Sequence, residues 1–151
     1  MREINYIVVH CSATSFGKDL DVEDIDRMHK RRGWAGVGYN YVIKLDGTIQ
    51  EGRPLEKIPA HVKGFNRNSI GICYIGGLDE NGKGADTRTP QQKETLLFRL
   101  MSLKQQFPHA EIVGHRDLSP DKDGDGIVER HEWLKLCPCF NAKEEYSDIW
   151  I

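Results

Sequence analysis

A chain of 151 residues fits one domain with room for a buried core. With 38% hydrophobic and 29% charged residues, it has the composition of a globular protein and not of a disordered one. A formal net charge of −2 excludes a broad basic field for nucleic acid or anionic lipid, and no apolar run approaches the ~20 residues that span a bilayer.

Ile4 to Cys11 is rich in β-branched residues and apolar on both faces, which predicts a strand inside a sheet. Val22, Ile25 and Met28 recur at helical spacing over Val22 to Arg32, with Asp21 as cap and Gly33 as stop. Tyr39 to Lys44 and Thr48 to Gln50 flank Leu45-Asp46-Gly47, a hairpin signal. Another strand is expected at Ser69 to Ile75, followed by a Gly-rich surface loop from Leu78 to Arg88. Thr89-Pro90-Gln91-Gln92 then carries a cap, a proline at the first helical position and a capping-box glutamine. Leu96, Leu97, Leu100, Leu103 and Phe107 supply that helix's apolar face. Ala110 to Gly114 reads as a short strand ending at His115. With no repeat or linker, the whole reads as a single α/β domain over 1–151: a central mixed sheet flanked by helices.

Two histidines stand at matching places, each just after an apolar strand: His10 after Tyr6-Ile7-Val8-Val9, and His115 after Glu111-Ile112-Val113-Gly114. Strand C-terminal ends are where sheets flanked by helices build ligand sites. With Cys137, pinned by Pro138, they form a two-imidazole, one-thiolate set of the kind that holds catalytic zinc with one position open. Histidines at strand ends also serve as hydrogen-bonded rim residues, and the long spacing leaves both readings standing. His29, His109 and His131 read as solvated, and Cys11 and Cys73 as small core residues. Cys139, two residues from Cys137, is a competing ligand.

Six stretches in order resemble the N-acetylmuramoyl-L-alanine amidase family, which includes phage amidase lysozymes and shares its fold with peptidoglycan recognition proteins. They are His10 to Thr14, Gly33 to Tyr41, Ile43 to Thr48, His61 to Ile72, Gly114 to Asp117, and Lys135 to Pro138, and they cover roughly residues 4 to 140. The resemblance implies that His10, His115 and Cys137 hold zinc, that Tyr39 and Lys135 are the catalytic pair, and that His61 lines the substrate groove. Tyr39 would position or accept a proton from the attacking water, or steady the tetrahedral intermediate. Lys135, two residues before Cys137, would face the oxyanion. The implied reaction is hydrolysis of the bond between N-acetylmuramic acid and L-alanine. The alternative is a peptidoglycan-binding module without turnover, and the intact set His10, Tyr39, His115, Lys135 and Cys137 favours hydrolysis. The implied partner is peptidoglycan or a muropeptide, met by a monomer, with no nucleic acid and no membrane. The N-terminus lacks a signal-peptide pattern. The expectation is therefore a chain that is cytoplasmic as synthesised and meets the wall after lysis or export, or as fragments within the cell.

Between His115 and Cys137 lies Asp121-Lys122-Asp123-Gly124-Asp125-Gly126, followed by Glu132. This fits the EF-hand calcium-loop pattern at every defined position, with Ile127 offering its carbonyl and Val128 packing inward. Ser119-Pro120 replaces the usual incoming helix, so an acidic surface turn without metal is the competing reading.

Overall fold

The computed structural model describes residues 2–149; Met1, Trp150 and Ile151, to which the single-domain reading extends, lie outside the described residues. β1 (Tyr6–Cys11) pairs in parallel with β4 (Ser69–Tyr74) on one side and with β5 (Glu111–Gly114) on the other. Being central, it buries both faces, which its unbroken apolar run requires. β2 (Tyr41–Ile43) lies parallel to β4 and antiparallel to β3 (Ile49–Glu51), so the sheet order is β3-β2-β4-β1-β5.

Side chains alternate across the sheet and divide its two faces by chemistry. Ile7, Val9, Ile70, Ile72, Tyr74 and Ile112 pack with Leu96, Leu100 and Leu103 of α2 (Pro90–Gln106) in the main core. Each of those leucines is at most 1% exposed, and burying each contributes about 1.5–3 kcal/mol. On the opposite face Val8 packs with Val62 and Val113, while Val42 packs with Ile25 of α1 (Val22–Arg31) and with Ile75. His10 follows Val9 and so shares the face of Val8.

Both long helices begin as their sequences dictate. Asp21 accepts from the Asp24 N–H while Asp24 accepts from the Asp21 N–H, and Thr89 and Gln92 reciprocate in the same way. Leu97 departs from expectation: it is 39% exposed, because the α2 stripe that meets the sheet is the narrower one through Leu96, Leu100 and Leu103. The hairpin strands are shorter than expected, although Gly52 and Arg53 still donate to the carbonyls of Asn40 and Tyr39. A short α3 (Ala142–Glu145), which the sequence pattern does not predict, packs against β5. Among the described residues no helix is long and apolar enough to cross a membrane.

Candidate active site and metal centre

The two strand-end histidines meet because β1 and β5 are adjacent and parallel, with Val9 opposite Gly114. Their rings lie 4.7 Å apart between centroids, and His10 is 1% exposed. Cys137 arrives from the C-terminal arm. Its Sγ lies 3.8 Å from His10 Nδ1 and accepts the Cys11 N–H at 3.1 Å. The arm is held locally: the Arg116 N–H donates to the Cys137 carbonyl at 2.9 Å, and the Tyr74 hydroxyl to the Pro138 carbonyl at 2.6 Å. Gly114 permits this seating, since a Cβ there would stand 2.6 Å from Pro138 Cδ. One ligand atom from each of His10, His115 and Cys137 falls within 4.8 Å of the others.

Burial keeps the imidazoles neutral. It pushes His10 well below its usual range, with His61 and His115 adding to the effect. Desolvation takes His115 down to about 4, helped by the Lys135 ammonium, and takes His61 down to about 3. Neutral imidazoles beside a sulfur that already accepts a backbone N–H are a donor set suited to zinc. Cys139 is turned elsewhere: its Sγ lies 3.4 Å from the Gly77 carbonyl and 3.9 Å from Cys11 Sγ. All four cysteines are free thiols, with Cys11 and Cys73 buried as expected.

Tyr39 borders the same centre, its ring 4.9 Å from that of His10, and burial raises its phenol well above the ordinary value. Lys135 is exposed and lines a groove of about 470 Å3 together with Trp34, His61, Lys63, Asn66 and His115. His61 lines that groove and also reaches His10: its Nδ1 stands 2.6 Å from His10 Nε2. Sequence alone carries no signal for that pairing.

His29 corrects an expectation. It is 3% exposed, because it falls four residues after Ile25 on the buried stripe of α1. Its Nδ1 accepts the Gly38 N–H at 2.8 Å, and its ring lies 5.4 Å from that of Tyr39. His109 and His131 are exposed as expected. Desolvation first, then Arg32 and Arg53, bring His29 from 6.5 to about 4. Between those values the unfolded chain binds a proton that the folded chain refuses, so stability falls as pH drops from 6.5 towards about 4. His29→Asn, whose amide oxygen can still accept the Gly38 N–H, should flatten part of that slope in thermal melts from pH 7.5 to 5.

The acidic loop brings Asp121, Asp123, Asp125 and Glu132 together, one oxygen of each within 4.8 Å of the others. Gly126 N–H donates to Asp121 at 2.7 Å, and Ile127 N–H to Asp125 at 2.9 Å, while the Ile127 side chain is 63% exposed. Glu132 is 1% exposed and accepts the N–H groups of Lys122, Asp123 and Glu129. Val128 is half-buried.

Residues 1–131 match the model of the N-acetylmuramoyl-L-alanine amidase family. The endolysin of Klebsiella phage KP32 is 37% identical over 142 residues, covering 94% of this chain and 85% of that one. Among solved structures, the N-acetylmuramoyl-L-alanine amidase LysC from Clostridium intestinale URNW superposes with a TM-score of 0.72 at 30% identity, over 95% of this chain and 82% of that one. Bumblebee PGRP-SA shares the fold with a TM-score of 0.73 at 20% identity, over 100% of this chain and 86% of that one.

Proposed function

The chain belongs to the N-acetylmuramoyl-L-alanine amidase family and hydrolyses the amide bond between N-acetylmuramic acid and L-alanine in peptidoglycan, and from that premise we propose that it does so with zinc held by His10, His115 and Cys137. The observation that carries the zinc reading is the convergence of those three ligand atoms, with His115 among the residues that line the groove. Zinc, when bound, supplies a polarised carbonyl and a water acidic enough to attack near neutral pH.

The chain's own residues do the rest. Lys135, on the rim beside His115, brings a positive charge to the carbonyl oxygen as it becomes an oxyanion. Tyr39, whose ring lies 4.9 Å from that of His10, would offer its phenolic hydroxyl to hold the reacting groups in register. Trp34, Lys63 and Asn66 offer the groove an aromatic wall and polar groups for a glycan-linked peptide. A binding module without turnover would need neither the complete donor set nor the rim cation. Incubating the protein with peptidoglycan, with and without a zinc chelator, checks this. Release of peptide from the sugar should be seen by mass spectrometry and should stop on chelation; release that survives full chelation would overturn the zinc reading.

The 121–132 loop is proposed to be an EF-hand-like insertion that takes calcium. Its support is the complete D-x-D-x-D-G-x5-E pattern together with the convergence of Asp121, Asp123, Asp125 and Glu132, with the Ile127 carbonyl completing the set. Calcium at ten times its dissociation constant adds about 1.4 kcal/mol to folding, which in a chain of this size raises the melting midpoint by roughly 3–6 °C. Asp121→Ala, which removes the carboxylate at the invariant first position of the loop, should abolish the rise. An unchanged midpoint in millimolar calcium would show the loop to be a metal-free turn.

A further inference from the structure

The His10–His61 pair poses a proton question that the metal reading leaves open. His10 Nε2 and His61 Nδ1 face each other at 2.6 Å, with ring planes at 73°, so one of the two nitrogens carries the hydrogen and the other accepts it. On the far side His61 Nε2 lies 2.8 Å from Ser69 Oγ, a hydroxyl that can accept or donate. The three side chains form a continuous hydrogen-bonded chain, His10 to His61 to Ser69.

The two proton arrangements along this line have different consequences for His10. If His61 Nδ1 carries the hydrogen, neutral His10 must carry its own on Nδ1, the nitrogen that faces Cys137 Sγ at 3.8 Å. That atom then has no lone pair for a metal. If His10 Nε2 carries the hydrogen and donates to His61 Nδ1, His10 Nδ1 is free to ligate, and His61 Nε2–H donates to Ser69 Oγ. Ligating histidines in metal sites generally donate their other ring N–H to a fixed acceptor, and loss of that acceptor costs about 10–100-fold in metal affinity.

His61 is built to be a fixed acceptor. Its own N–H and that of Val62 both donate to Asn66 Oδ1 at 2.9 Å, which clamps the backbone on either side of the ring. The ring lies flat on the strand at Gly71, where a Cβ would stand 2.9 Å from both His61 Cγ and Nδ1. Ser69, two residues earlier on the same face of β4, is fully buried. A residue that only contacted substrate from the groove wall would need none of this support underneath.

We infer that His61 is a positioning residue for the metal centre: by accepting the His10 Nε2 hydrogen, with Ser69 behind it, it holds His10 in the tautomer whose Nδ1 can bind zinc. The inference rests on the zinc reading above.

The test measures zinc affinity by competition with a chromophoric chelator, and the His10 tautomer by NMR of nitrogen-labelled histidine in the zinc-loaded protein. His61→Ala should lose about 10–100-fold in zinc affinity, while His61→Asn, whose Oδ1 can occupy the place of Nδ1, should stay within about threefold. Wild-type protein should show hydrogen on His10 Nε2. Gly71→Ala, which pushes the ring off its seat while leaving His61 in the chain, should weaken zinc in the same direction and serves if His61→Ala fails to fold. If His61→Ala or Gly71→Ala folds and keeps wild-type zinc affinity, with only KM for peptidoglycan raised, His61 is a groove contact and the inference falls while the zinc reading stands. If the wild-type protein releases peptide yet binds no zinc, both fall.

Discussion

Cys137→Ser is expected to lower peptide release from peptidoglycan by roughly a thousandfold or more while leaving the fold in place. A bound metal contributes several kcal/mol to an amide-hydrolysing transition state, and about 4 kcal/mol corresponds to a thousandfold in rate. Serine is close in size to cysteine and can still accept the Cys11 N–H that now meets the sulfur at 3.1 Å. Pro138 and its carbonyl contact with Tyr74 are untouched, so the arm keeps its path. What changes is the donor: a neutral hydroxyl is a poor partner for zinc beside two imidazoles, and metal affinity falls with it. Three measurements separate the causes, namely zinc content of the purified protein, the thermal midpoint, and the products identified by mass spectrometry. A variant that melts like wild type, carries no zinc and releases no peptide is the expected result. Full release from the same variant would mean that Cys137 is not a ligand.

Local signals in the sequence translated directly into structure, and distant ones did not. The caps at Asp21 and Thr89 depend on side chains three residues apart, so the sequence carries the whole interaction. The unbroken apolar run Tyr6–Cys11 marks a strand buried on both sides, and it is the one paired with two parallel neighbours. Which neighbours it takes was not legible, because β4 and β5 are brought to it across long crossovers, with no residue pattern that names the partner. The proposed zinc ligands show the same division. His10 and His115 each announce a strand end, but their meeting depends on the β1–β5 pairing, and Cys137 joins through an arm folded back from far along the chain.

The misreadings have physical causes as well. Histidine's polarity suggests a solvated His29, yet Ile25 stands four residues before it, and that spacing puts it on the buried stripe. A polar residue can sit there because the Gly38 N–H gives its ring nitrogen a partner. Leu97 counts toward the apolar face of α2 by its chemistry, yet one residue's rotation from Leu96 takes it off the face that meets the sheet. The contact between His61 and His10 is not legible in the sequence, since the two are 51 positions apart. The short α3 is anchored by partners far away in sequence, which local propensity cannot report.

That anchoring gives the second large expected effect: Arg88→Met should destabilise the protein by about 2–3 kcal/mol and lower its melting midpoint by roughly 5–10 °C. The Arg88 side chain is 1% exposed although it stands at the end of a polar loop. Its guanidinium makes a fork with Asp86 at 2.9 Å through both Nε and Nη2, and a second with Glu145 at 2.8 and 2.9 Å. It also donates to the Tyr146 hydroxyl at 2.8 Å and lies 3.4 Å above the Phe140 ring. One cation therefore ties the 78–88 loop to the arm that leaves Cys137, at the point where α3 turns onto the sheet. Methionine matches the length and fills the space over Phe140, so the loss reports the unpaired carboxylates and not a cavity. Those carboxylates are 31% and 44% exposed and can regain water, which places the cost below that of a fully buried pair. Glu145→Gln should cost less than Arg88→Met, because Arg88 retains Asp86 and the amide oxygen still accepts. Limited proteolysis should then open the Arg88→Met variant first within residues 140–149, where the tether was lost. If the midpoint of Arg88→Met moved by less than about 1 °C, the ion cluster would be ornamental to stability, and the arm would owe its place to Pro138, Phe140 and Tyr146 packing alone.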